Sequence, residues 1–188
     1  MLPLTALFLQ LAVAGIFLAS GLAKVRGRDN ETTWAVLAER LRLTRLPVRT
    51  ASAAHSAVEL AIGLVLLTGT WARVPALAAA TALFAAFTLL ALYSARAGTA
   101  VPCSCFGRAR TDLGWPHVWR NLALTCAAAA GLGCAWASAG APPASWGEIG
   151  LAAAAAAAVT AATVSFDDLV DLFAAGTGER PGARTPRS

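Results

Sequence analysis

Residues 4–23 read LTALFLQLAVAGIFLASGLA, twenty residues without a charge, and Lys24, Arg26 and Arg28 follow at once. An uninterrupted apolar stretch of about 18–20 residues is long enough to cross a bilayer as a helix. Only Met1-Leu2-Pro3 precede it, without the basic leader and shorter apolar core of a signal peptide, so it reads as a retained span. Four further blocks repeat the pattern, at about 53–71, 74–94, 119–137 and 149–165, the last rich in alanine. The expected fold is all-α: a polytopic transmembrane bundle, with a four-helix core plus a fifth Ala-rich helix. One domain spans 1–174, and a Gly/Pro/Arg-rich tail, 175–188, reads as disordered. Helix 149–165 is expected to continue through Phe166–Phe173 outside the bilayer.

Composition supports this. Of 188 residues 57% are hydrophobic and 13% charged, against about 25% charged in an ordinary soluble domain. The net charge of +5 does not point to nucleic acid, because the arginines flank apolar blocks as membrane topology requires. The lipid bilayer is the first partner, and a bacterial cell membrane the expected location. Alanine and glycine dominate the blocks, as close helix packing in lipid favours.

Between the first two blocks Trp34, Leu37, Ala38 and Leu41 fall on one helical face. Asp29 or Asn30 can cap that helix and Leu46-Pro47 can end it. It reads as an amphipathic helix on the membrane surface or as a connector packed on the bundle.

Alternate connections share a membrane side, so the loop after block one, the loop after block three and the tail lie together. Lys24, Glu59, Arg120 and Asn121 all approach that side. A carboxylate deep in a span costs about 2.5–3.5 kcal/mol. Glu59 lies about two turns from the end of its helix, where the cost is smaller but a partner is still expected: Lys24 or Arg120. The pair reads either as a structural link or as part of a site. His55 reads as a surface histidine at a helix start.

The loop after block three carries Cys103-Ser104-Cys105. Two thiols one residue apart close only a strained ring, and strained disulfides tend to be labile or catalytic. Arg108, Arg110 and Arg120 favour thiolates, the reactive form, and Pro102 and Gly107 suggest a fixed turn. The alternative is two incidental buried cysteines. A metal site is poorly supplied, since Cys103, Cys105 and His117 give at most three ligands. Cys126 and Cys134 stand on one helical face with Ala130 between them, about 12 Å apart at the α-helical rise, which suits a small-residue packing stripe better than a thiol relay.

Taken together, Gly21-Leu22-Ala23-Lys24, Glu59-Leu60-Ala61-Ile62-Gly63, Cys103-Ser104-Cys105-Phe106-Gly107, Leu113-Gly114-Trp115 and Arg120-Asn121 resemble the methylamine utilisation protein MauE family, related to DoxX-like membrane proteins. The resemblance covers about residues 4–138. It implies an accessory membrane protein for maturing the disulfide-rich small subunit of methylamine dehydrogenase, acting with a thioredoxin-like partner on a disulfide-containing client.

Thiol–disulfide exchange or electron passage is therefore the leading expectation, with Cys103 and Cys105 as the reactive pair and Lys24, Glu59, Arg120 and Asn121 supporting them. One alternative is a non-enzymatic assembly or structural subunit. Another is a quinone-linked oxidoreductase, whose quinone cofactor a bundle pocket could admit, although no sequence feature shows one. Lysines and arginines number seven in the first loop, four around the cysteine loop and three in the tail, against one on the opposite side. The positive-inside rule then puts the cysteines in the cytoplasm, where thiols are ordinarily kept reduced.

Overall fold

The computed structural model describes residues 2–27, 29–40, 47–68, 72–98, 113–140, 142 and 144–166. These form six helices: α1 (Leu2–Arg26), α2 (Asp29–Arg40), α3 (Val48–Thr68), α4 (Arg73–Ala97), α5 (Trp115–Ala137) and α6 (Trp146–Val164). By length and apolarity α1, α3, α4 and α6 can each cross a membrane. α5 has the length, but its opening turns hold His117, Arg120 and Asn121, which lower its apolarity. It nevertheless runs beside α4 from end to end: Ser94 Oγ donates to the Leu113 carbonyl just before α5, Thr88 and Thr125 hydroxyls meet midway, and Arg73 Nη2 donates to the Ala135 carbonyl at the far end.

α1 is the hub, packed on α3, α5 and α6. Its core-facing residues Val13, Ala14, Ile16 and Phe17 join Ile62 and Leu66 of α3, Leu77, Ala80 and Phe84 of α4, and Ala128 and Ala135 of α5. The Phe17 and Phe84 rings stack at 4.6 Å. Most of these side chains are small, so backbones come close. A Cβ on Gly63 would lie 2.7 Å from Leu18 Cγ and 3.2 Å from the Ala14 carbonyl oxygen.

Polar groups inside the bundle close helix ends. The last carbonyls of a helix lack intrahelical partners. Buried Gln10 donates to the Leu66 carbonyl near the end of α3, as Arg73 does near the end of α5. Ser145 and Glu148 form a reciprocal cap at the start of α6, the Ser-x-x-Glu pattern of a capping box. α6 ends at Val164 with Ser165 as its C-cap; the expected continuation beyond 166 and the tail lie outside the described residues.

α2 packs on the start of α3. It begins at Asp29, which places Asn30 within the helix instead of at its cap. Buried Asn30 donates to the carbonyl and hydroxyl of Ser52 and to the Ser56 hydroxyl, clasping α2 to α3. Val36 packs against the cluster of Ala91, Leu113 and Val118. Leu41 and Leu46 lie outside the described residues.

The stripe of Cys126, Ala130 and Cys134 does not pack the bundle. Cys126 and Ala130 are exposed and Cys134 is half-exposed, while Ala128, Gly131 and Ala135 face inward. Both stripes have helical spacing and both are small. The inward face is fixed by Asn121 and Arg120, which α5 turns into the bundle.

Replacing Gly63 by alanine should destabilise the protein, since overpacking of about 1–3 kcal/mol exceeds the helix-propensity gain of about 1 kcal/mol. Gly133, with open space around its Cβ direction, should tolerate alanine and gain stability. Thermal unfolding of the two variants in detergent checks the opposite signs.

Candidate functional site

Three helices bring their polar residues to one end of the bundle. Lys24 stands in the last turn of α1, Glu59 twelve positions into α3 and Arg120 with Asn121 in the second turn of α5. All four line one cavity of about 20 Å³, roofed by Phe17, Phe84 and Phe87, with room for a single water. The sequence puts these residues at one membrane side; the fold brings them into a single cluster.

Glu59 is its centre, with 1% of its surface exposed. Lys24 Nζ donates to its Oε1 at 2.5 Å, so of the two partners expected, Lys24 takes the carboxylate. Lys24 also donates to Ser20 Oγ at 2.8 Å, and the Ser20 hydroxyl faces both carboxylate oxygens at 3.2–3.3 Å. Ser20 thus accepts from the cation and donates to the anion. The Lys24 ammonium also lies 5.7 Å from the centre of the Phe87 ring, within cation–π range. A buried pair survives desolvation when its remaining lone pairs and protons are hydrogen-bonded, and Ser20 supplies that here.

His55 is not the surface residue that its position suggests. Its side chain is 12% exposed and its Nε2 lies 3.2 Å from Glu59 Oε1. Trp34 Nε1 of α2 faces the other ring nitrogen, Nδ1, at 3.3 Å. An indole N–H can only donate, so Nδ1 is the acceptor and the neutral ring carries its proton on Nε2, toward the carboxylate. The rings of Trp34 and Phe87 flank His55 at 5.8 and 5.3 Å. The chain Trp34–His55–Glu59–Lys24 therefore joins α2, α3 and α1.

Sequence reasoning passes over Ser20 and leaves His55 at the surface, although each stands four positions before a charged member, Lys24 and Glu59. That i, i+4 spacing puts each pair on one helical face and is the signal by which both could be found. Trp34 has no comparable local signal, because its partner lies on another helix.

Arg120 and Asn121 close the cavity from α5, both buried. The Arg120 guanidinium sits 5.7 Å from the centre of the Phe166 ring, just past α6. Asn121 Nδ2 points to no acceptor among the described residues. His117 is also buried, and its Nδ1 accepts from Gly114 N–H at 3.3 Å, a capping role at the start of α5. No cluster of three or more metal-ligating side chains occurs among the described residues. Cys103 and Cys105 lie outside the described residues. The segment that carries them leaves α4 at Gly98, whose left-handed φ of 60° caps that helix, and rejoins the described chain at buried Leu113.

A bundle of long apolar helices with a buried ion cluster at one end defines a multi-pass membrane protein. The family model for methylamine utilisation protein MauE matches residues 2–135. The chain belongs to that family, and with it comes a membrane accessory role. No curated protein and no solved structure matches it.

Within the cluster, removing one charge strands the other. Glu59→Leu should destabilise by about 3–5 kcal/mol, and Glu59→Gln by less, because the amide oxygen still accepts from Lys24 and Ser20. Lys24→Met combined with Glu59→Leu should recover most of the loss. Melting temperatures of the single and double variants form the cycle, and additive losses would show that the two residues are uncoupled.

Proposed function

We propose that the protein exchanges thiols and disulfides, or passes electrons, through Cys103 and Cys105 at the membrane face where Lys24, Glu59, Arg120 and Asn121 converge. The observation that carries this reading is the convergence itself. A hydrogen-bonded ion cluster lies at the end of the bundle from which the Cys-x-Cys segment departs and to which it returns, at Gly98 and Leu113. The cluster gives that end a fixed charge distribution, and an adjacent arginine favours the thiolate form of cysteine.

The step balances without a further reagent. One thiolate of the pair attacks a sulfur of a partner disulfide, forming a mixed disulfide and releasing the partner's other sulfur, which takes up a proton. The second cysteine then attacks its neighbour's sulfur and frees the partner. The pair ends as a disulfide and the partner as a dithiol, two electrons and two protons having passed to the partner; the reverse direction oxidises the partner. A thioredoxin-like protein supplies such a group, and a disulfide-containing client in methylamine utilisation is the substrate that the family membership favours.

Alkylation with a mass-tagged maleimide in intact cells, with and without reductant, should show Cys103 and Cys105 interconverting between thiol and disulfide. A pair that stays reduced under all conditions, with Cys103→Ser and Cys105→Ser leaving methylamine-dependent growth intact, would remove the redox reading.

The excess of lysine and arginine on the side of this segment puts the pair in the cytoplasm. There it receives electrons more readily than it oxidises exported substrates. A membrane-impermeant thiol reagent should leave both cysteines unlabelled until the cells are lysed; labelling of intact cells reverses the topology.

A further inference from the structure

On the outer side of Lys24 lies a second, larger cavity of about 490 Å³, between the end of α1 and the start of α3. Its walls are apolar where they continue the membrane-facing surface: Val25 is 63% exposed, and Ala57 and Leu60 line the cavity from α3. Its rim is charged, with Arg26 in the last turn of α1, Arg49 in the first turn of α3 and Glu31 of α2. Lys24 also borders it, but its charge is taken by Glu59.

Among the described residues two arginines stand against one glutamate at the rim, an excess of one positive charge. Glu31 and Arg49 face each other at 3.7 Å, the arginine largely exposed and the glutamate about half so, and such surface pairs contribute little and rearrange easily. Arg49 also occupies an unfavourable place. It stands in the first turn of α3, which carries no acidic residue, where the helix dipole is positive and repels cations. An anion at this rim would offset that repulsion and neutralise the excess positive charge.

We propose that this cavity binds an anionic phospholipid, its phosphate between Arg26 and Arg49 and its first acyl methylenes against Val25, Ala57 and Leu60. A phosphodiester with one negative charge matches the rim. The apolar wall distinguishes a lipid from free phosphate, and basic pockets between spanning helices at a membrane face suit lipid headgroups. The site adjoins the ion cluster at Lys24 but does not depend on the redox reading.

Native mass spectrometry of the purified protein with equal amounts of phosphatidylglycerol, phosphatidylethanolamine and phosphatidylcholine of the same acyl chains tests it. Phosphatidylglycerol should be retained over both others by about five- to tenfold, and Arg26→Gln with Arg49→Gln should abolish the preference. Glu31→Gln should strengthen phosphatidylglycerol retention, and it keeps the test decisive if the double variant does not fold. Equal retention of the three lipids, or a preference that survives the double substitution, overturns the proposal. So does weaker phosphatidylglycerol retention in Glu31→Gln, because removing a negative charge from the rim can only favour an anion there. Displacement of the lipid by millimolar inorganic phosphate would assign the site to free phosphate instead.

Discussion

A carboxylate buried inside a helix bundle is stable only if something cancels its charge and fills its hydrogen bonds, and that requirement organises this protein. Glu59 faces α1, so α1 must end where Lys24 can reach it, and α3 must run antiparallel beside it with its backbone close. Small residues on both helices permit that approach. Ser20 stands one turn before Lys24 and completes the bonding. The Phe17–Phe84 stack and the inner face of α5 pack around this pair.

The same end of the bundle gathers other polar groups for the same reason. Arg120 and Asn121 are tolerated on an otherwise apolar helix because they turn inward, to a cavity already lined by ions, and away from lipid. That choice decides which face of α5 packs, and sends Cys126 and Ala130 outward. At the opposite end Gln10 and Arg73 bond the terminal carbonyls of neighbouring helices. Backbone groups that water would satisfy in a soluble protein are served here by side chains from another helix.

α2 belongs to this arrangement and is not a passive connector. Asn30 ties it to the first turns of α3, and Trp34 fixes the tautomer of His55, which faces Glu59. Movement of α2 would therefore reach the carboxylate through two contacts. α2 is thus joined to the ion cluster through the Trp34–His55 hydrogen bond and the 3.2 Å His55–Glu59 contact, and its Glu31 borders the cavity on the outer side of Lys24.

The fold class is legible in the sequence because long uncharged blocks have one solution in a bilayer, and alternate connections then share a side. The same logic, which needs only the order of the blocks, brings Lys24, Glu59, Arg120 and Asn121 to one face. It cannot choose between Lys24 and Arg120 as the partner of Glu59, because both are available at that face and helix rotation decides which one reaches. Rotation likewise separates the two small stripes of α5, which spacing alone leaves equivalent. His55 looks superficial because it stands near a helix start, yet α2 folds back and covers it; that burial comes from contacts between elements distant in the chain. Apolar length and charge placement, being local, fix spans and sides, whereas the pairing of charges, the tautomer of His55 and the packed face of each helix depend on neighbours that only the tertiary fold supplies.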